Sequence, residues 1–303
     1  MFQFCFNDCI PNDGTNDMLV NHLSTTLTHY DQIKNKFPSN IDGIITDRYP
    51  TKLILNNIDF SLANCIEQLN RELKKIALIN FNKYPLEYYF TITDEDNLIK
   101  GEFSIDINKI SYDGINAKIV EENEGILFSL PVHNDLKKNK LTISNNQNEK
   151  YNVLNQYGDD SNTEFILDLI NADLIQSKEG FQKLIAIIGN CIYNERFQRE
   201  FENLPSSTQK KVLDHTVQSI NRKEKTRFYP DDKIIKDVTP NKEADIKVFE
   251  MRVFNPLALR IYFYEAEEKV YFGGIEKKPK KKVQNLDILN AASVIKELII
   301  TKG

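Results

Sequence analysis

The residues best suited to chemistry lie on three alternating runs between Lys247 and Lys282, KVFEMRVFNPLALRIYFYEAEEKVYFGGIEKKPKKK. In the first run Phe249, Met251 and Val253 share one face, and Glu250, Arg252 and Phe254 share the other. In the second, Leu259, Ile261 and Phe263 are opposed by Arg260, Tyr262 and Tyr264; in the third, Val270 and Phe272 alternate with Tyr271. Residues directly opposite on antiparallel strands point to the same face. Pairing Met251 with Ile261 therefore sets Arg252 opposite Arg260. This register needs a loop of odd length, such as Phe254 to Ala258 around Pro256, and a one-residue slip would bury both arginines. Facing guanidiniums repel, so a sheet that keeps them is expected to use them on an anion.

Holding these side chains in place requires an antiparallel sheet, and the alternation predicts one that is half-buried. The preceding segment predicts a helical hairpin over 195–225. Its first arm carries Phe197 and Phe201, Leu204-Pro205 breaks it, and Ser206-x-x-Gln209 fits a capping box. Val212, Leu213, Thr216, Val217 and Ile220 line the second arm. Basic residues (Lys210, Lys211, Arg222, Lys223, Lys225, Arg227) crowd its exposed face and its end. After the sheet, Asn285 to Ile299 predicts a closing helix with Ile288, Ala292, Ile295 and Ile299 on one face.

The rest of the chain mixes both periodicities. MFQFCF, IDGIITDRY and TKLILNN read as strands. Asp17–Phe37 and Ser61–Tyr84 read as helices, the second with Ser61 as its N-cap. Residues 87–158 read as β-rich, with YYFTIT, GEFSIDI, INAKIV, GILFSLPV and KLTISN between polar turns. NQYGDDSNTE reads as a surface connection, and 164–191 as helical. The expected organisation is α+β: a mixed α/β regulatory or sensor region over 1–165, a helical connector over 166–194, and a compact domain over 195–303.

Bulk numbers narrow the function. At 303 residues the chain is long enough for two domains. No run approaches a membrane span, and the N-terminus lacks the pattern of a signal peptide. The four cysteines, Cys5, Cys9, Cys65 and Cys191, are too scattered for a zinc site or a disulfide framework. A reduced cytoplasmic protein with no metal or cofactor is expected. The acidic turns at Asp94–Asp96 and Glu121–Glu124 read as solvated, since no calcium-loop pattern accompanies them. Residues 1–195 hold 17 Lys+Arg against 28 Asp+Glu, a balance of −11; residues 196–303 hold 22 against 16, a balance of +6; together they give the chain's −5. A basic C-terminal third on an acidic remainder suggests a polyanion-binding module with a separate partner half.

Hairpin, antiparallel sheet and terminal helix, in that order, resemble the RelE/HigB-type toxins of toxin–antitoxin systems. The matching stretches are ENLPSSTQKKV, VFEMRV, LRIYFY and VYFGGIEKKPKK, with Ala291 and Ala292 in the last helix. The resemblance covers about 195–303, and no family is recognised in 1–165. It implies a small RNase that cuts mRNA on the ribosome without a metal. Arg252 and Arg260 are then expected to clamp the scissile phosphate. Tyr262, Tyr264 and Tyr271 are expected to stack bases. Lys277 and Lys278 are expected at the edge of the site, and Lys280, Lys281 and Lys282 on ribosomal RNA backbone. No histidine follows His215 and no tyrosine follows Tyr271, which leaves the general acid and base unassigned. The alternative is a non-catalytic module of the RelE/ParE fold that binds RNA, ribosome or a gyrase-like target. An antitoxin-like protein, or residues 1–194 within the chain, is the expected inhibitor, and a stress or phage-defence effector the expected setting.

Overall fold

The computed structural model describes residues 1–11, 14–56, 59–92, 98, 100–222, 227–240, 246–277 and 281–302, the side chains of 281–283 excepted. The chain is mixed α and β and divides into two compact units, Met1–Asn171 and Ala172–Gly303.

In the first unit the elements are β1 (Phe2–Phe6), α1 (Asn16–Lys36), β2 (Ile41–Ile45), β3 (Ile54–Asn56), β4 (Phe60–Ser61), α2 (Leu62–Glu67), α3 (Arg71–Asn80), β5 (Ser104–Ile107), β6 (Ile110–Asp113), α4 (Ile115–Glu122), β7 (Ile126–Phe128), β8 (Lys140–Ser144), β9 (Lys150–Gln156) and α5 (Asp160–Gln176). Seven strands form one sheet in the order β2-β1-β7-β9-β8-β5-β6. The first four run parallel and the last three are joined by antiparallel pairs. Central parallel strands are covered on both faces and read as continuous apolar runs. The buried stretches Phe4–Phe6 and Ile126–Phe128 are of this kind.

Three sequence expectations fail here for local reasons. Ser61–Tyr84 is two helices, because the Asn70 side chain accepts from Leu73 N and starts a new helix at Arg71. INAKIV is helix α4 rather than a strand, with Ala117, Ile119 and Val120 buried. Short apolar runs are ambiguous between the two periods. NQYGDDSNTE is no surface connection: it ends β9 and opens α5, with Asn155, Gln156 and Asn162 buried. Elsewhere the expected strand YYFTIT is not formed over its described residues: Tyr88 ends a 3-10 turn and 89–92 carry no strand, while Thr93 and Asp94–Asp96 lie outside the described residues.

In the second unit the elements are α6 (Gly180–Ile188), β10 (Cys191–Ile192), α7 (Glu195–Glu202), α8 (Ser206–Ile220), β11 (Ile235–Asp237), β12 (Phe249–Val253), β13 (Leu259–Ala266), β14 (Lys269–Lys277) and α9 (Lys281–Lys302). The sheet order is β10-β14-β13-β12-β11, antiparallel except for β10 beside β14. The expected connector is therefore no separate piece. Its last part supplies an edge strand, and Phe181, Leu184 and Ile188 of α6 join the core. The expected capping box is also absent. Pro205 occupies the N-cap of α8, and the Gln209 side chain donates back to Glu202 O and Leu204 O.

The sheet is buried on both faces, not one. Met251, Ile261, Phe263 and Phe272 pack against α6, α7 and α8, where Phe197 stacks on Phe272 at 4.3 Å between ring centroids. On the opposite face Tyr262 and Tyr271 pack against Ile288, Ala291, Ile295 and Leu298 of α9. Tyrosine rings carry enough apolar surface to form a second core, so the polar-looking face of the alternation is also interior. Phe197→Ala is expected to lower the stability of the second unit by about 3–5 kcal/mol, read as a shifted urea midpoint with fluorescence or circular dichroism.

Candidate active site

β12 and β13 pair in the register the alternation predicts, Met251 with Ile261 and Arg252 with Arg260. Across three strands this sets Arg252, Arg260 and Glu276 in one row and Glu250, Tyr262 and Gly274 in the next. Glu250 lies two residues from Arg252 on the same strand and so on the same face. Its side chain is 0% exposed, while those of Arg252 and Arg260 are 18% and 12% exposed.

Glu250 is the anion that the facing arginines need. Its Oε1 accepts from Arg252 Nε at 2.7 Å and also from Arg260 Nη1. Its Oε2 accepts from Gln284 Nε2 of α9 at 3.0 Å. Arg252 Nη1 also donates to Asp232 O at 3.1 Å. Among the described residues, two donors in the cluster are buried without an acceptor, Arg260 Nε and Tyr262 Oη. Burial, with Glu250 nearby, pushes the Tyr262 hydroxyl well above its ordinary pKa. Behind the sheet, His215 Nδ1 of α8 donates to the Arg252 carbonyl at 3.0 Å. Burial, helped by Lys211, holds the His215 pKa below its ordinary 6.5.

Beside this row opens a cleft of about 510 Å³ lined by Glu200, Leu259, Glu276, Lys277 and Asp287 among others. Arg196 donates to Glu200 at 2.6 Å and to Glu276 at 3.3 Å. Burial, then Asp287 and Glu200, hold the Glu276 carboxyl above its ordinary range against the opposing pull of Arg196. Burial does the same for Asp287.

The structure thus brings Arg252 and Arg260 together on one face, while Lys277, opposite Leu259 at the same end of the sheet, points to the other face. It does not leave the tyrosines open for stacking. Tyr262 is 0% and Tyr271 6% exposed beneath α9, and Tyr264 is half-buried. Lys278 and Lys280 lie outside the described residues, and for Lys281 and Lys282 only the helical backbone is described. Of the hairpin's basic residues, Arg222 pairs with Asp231 at 2.5 Å and Arg227 with Glu265 at 3.0 Å, so both serve internal contacts; Lys223 and Lys225 lie outside the described residues. Glu250, Gln284 and Glu276 were not singled out from sequence. The parity that pairs the arginines also places Glu250 among them, so that signal was present; nothing marked Gln284.

A second polar group lies in the first unit, at the carboxyl ends of its parallel strands. Asn7 Nδ2 donates to Ser129 Oγ, and Asn116 Nδ2 to Asp8 Oδ2. Burial and then Asp47 raise the Asp8 pKa. Among the described residues no group of three or more His, Cys, Asp or Glu is arranged to hold a metal ion, and no helix is long and apolar enough to cross a membrane. Comparison with family models, curated proteins and solved structures finds no match to this chain.

Removing one member of a buried ion cluster leaves uncompensated charge and costs about 3–5 kcal/mol, whereas replacing the whole cluster with apolar groups is often neutral or better. Glu250→Leu alone should therefore lower the urea midpoint strongly, and Glu250→Leu with Arg252→Met and Arg260→Met should recover most of the loss. The stability contributed by neutral His215 is complete above its unfolded pKa near 6.5 and is lost as pH falls through its lowered folded value. His215→Asn should flatten the fall in melting temperature between pH 7 and pH 5; an unchanged slope would remove His215 from the account.

Proposed function

We propose that residues 195–303, within the second unit, form a RelE-like module that acts on RNA as a metal-independent endoribonuclease, cutting mRNA on the ribosome. The reading rests on one observation: the guanidiniums of Arg252 and Arg260 converge on a single carboxylate oxygen of Glu250. A pair that holds a carboxylate oxygen has the donors to hold a phosphate oxygen. In cleavage by the neighbouring 2′-hydroxyl, these donors stabilise the charge that builds on the pentavalent phosphate. Glu276, opposite Arg260 and with a raised pKa, is the group best placed to take or return the proton. Lys277 lines the cleft at the edge of the site; the roles of Lys278, Lys280, Lys281 and Lys282 on RNA are carried over from the resemblance alone. An inhibitory partner, in this chain or a separate protein, and a role in stress or phage defence, complete the proposal.

A second reading, a non-catalytic binding module of the RelE/ParE fold, is favoured by the occupancy of both arginines by Glu250 and by the burial of Tyr262 and Tyr271.

The test is to incubate the full chain with ribosomes carrying a defined mRNA and map the new ends. Cleavage by the proposed route gives a 2′,3′-cyclic or 3′-phosphate, and Arg252→Ala or Arg260→Ala slows it by about a hundred- to a thousand-fold. A 3′-hydroxyl product would contradict the mechanism, and ribosome binding without any cut would favour the second reading.

A further inference from the structure

We infer that α9 is a closed lid over the arginine pair, with Glu250 as its built-in stand-in for a phosphate and the Gln284–Glu250 hydrogen bond as its latch. The inference rests on the RNA reading above and adds the regulation of that same site.

Four observations carry it. The first is occupancy: both guanidiniums are engaged by a carboxylate whose other oxygen is held from α9. An RNA phosphate therefore has to displace Glu250 from the pair, and α9 holds that carboxylate by its second oxygen.

The second is mismatch. Arg260 Nε and Tyr262 Oη are buried in this cluster without acceptors. Each unpaired donor raises the free energy of the closed arrangement relative to one in which it is solvated or bonded.

The third is the way α9 is attached. It contributes no strand to the sheet, so the ladder of β10 to β14 survives its departure intact. It packs closely on Gly273, the extra residue of the β14 bulge. A Cβ on Gly273 would fall 2.8 Å from Ala291 O and 3.0 Å from Ala291 Cβ. The seat of the lid thus depends on one missing side chain.

The fourth is what opening would uncover. Tyr262 and Tyr271, buried under α9, and half-buried Tyr264 lie on the same face as the arginines. Cationic groups interleaved with aromatic rings make a surface for single-stranded RNA. Closed, the face is a second core; open, it is the surface that the alternation of charge and aromatic residues suggests.

The experiment uses the full chain and two readouts independent of cleavage. Gly273→Val places a branched side chain where α9 sits. Peptide mapping should show faster labelling of Arg252 and Arg260 by phenylglyoxal, by about ten-fold or more, as expected when the open arrangement passes from minor to major. Affinity for a single-stranded RNA oligonucleotide should rise with it, and adding Arg252→Ala and Arg260→Ala should cancel that rise. Faster labelling with no gain in RNA affinity would support the lid and sink the RNA reading. Unchanged labelling in a folded variant whose α9 amides have lost protection would overturn the lid. If Gly273→Val does not fold, hydrogen exchange on the wild type decides: the lid requires α9 amides to open as a unit at lower cost than the amides pairing β12 to β14. Exchange of α9 only with the whole sheet would overturn it.

Discussion

Two guanidiniums facing each other on neighbouring strands repel, and a sheet retains them only with an anion at hand. Here the anion comes from the same face: Glu250, two residues before Arg252, gives one carboxylate oxygen to both arginines. Much of the second unit follows from that contact. The pairing of β12 with β13 is pinned, because a shifted register would carry the three charges into the apolar layer beneath α6, α7 and α8. The cluster can be covered by α9, because its charges are largely paired within the sheet. Gln284 completes the cover by using the oxygen of Glu250 that the arginines leave free. A buried ion cluster is weak evidence for added stability. Its conspicuous role here is geometric: it holds two guanidinium groups at a fixed separation on a rigid sheet.

In the proposed function that geometry is what ties the structure to a reaction. A phosphate asks for the same donors as a carboxylate, so the pair suits either partner and the two compete. The neighbouring cleft adds carboxyls on Glu276 and Asp287 that burial keeps above the usual carboxylate range. In the proposed reaction these carboxyls would exchange the proton and the arginine pair would hold the phosphate, the minimum that RNA cleavage by a 2′-hydroxyl requires. The first unit is built differently, on four parallel strands extended by antiparallel ones, and its polar group at the strand ends is separate in chemistry from the arginine pair.

Much of this was legible in the chain. Period-two alternation gave the three long strands and, by parity, the pairing of Arg252 with Arg260. Apolar periodicity gave the hairpin and the closing helix. What was not legible was how often a polar-looking residue is interior. Tyr262 and Tyr271 looked like an exposed face, but their rings have the area of core residues. Glu250 was placed on the arginine face but given no role, although its i, i+2 relation to Arg252 held the clue. The seat of α9 depends on Gly273 and Ala291, two small residues with no periodic signal, and the latch on a single glutamine. Short segments failed for related reasons: β10 and β11 are too brief to carry a period, and Asn70 could split a helix because its side chain supplies its own cap.

The central claim is that one buried carboxylate holds both arginines, and nitrogen-15 spectroscopy of the arginine side chains tests it directly. The account predicts resolved, slowly exchanging proton signals from Arg252 Nε and Arg260 Nη1 at neutral pH, both lost or broadened in a folded Glu250→Gln variant. Guanidinium signals from Arg252 and Arg260 that exchange with water as fast as those of an unfolded chain, with Glu250 in place, would contradict it.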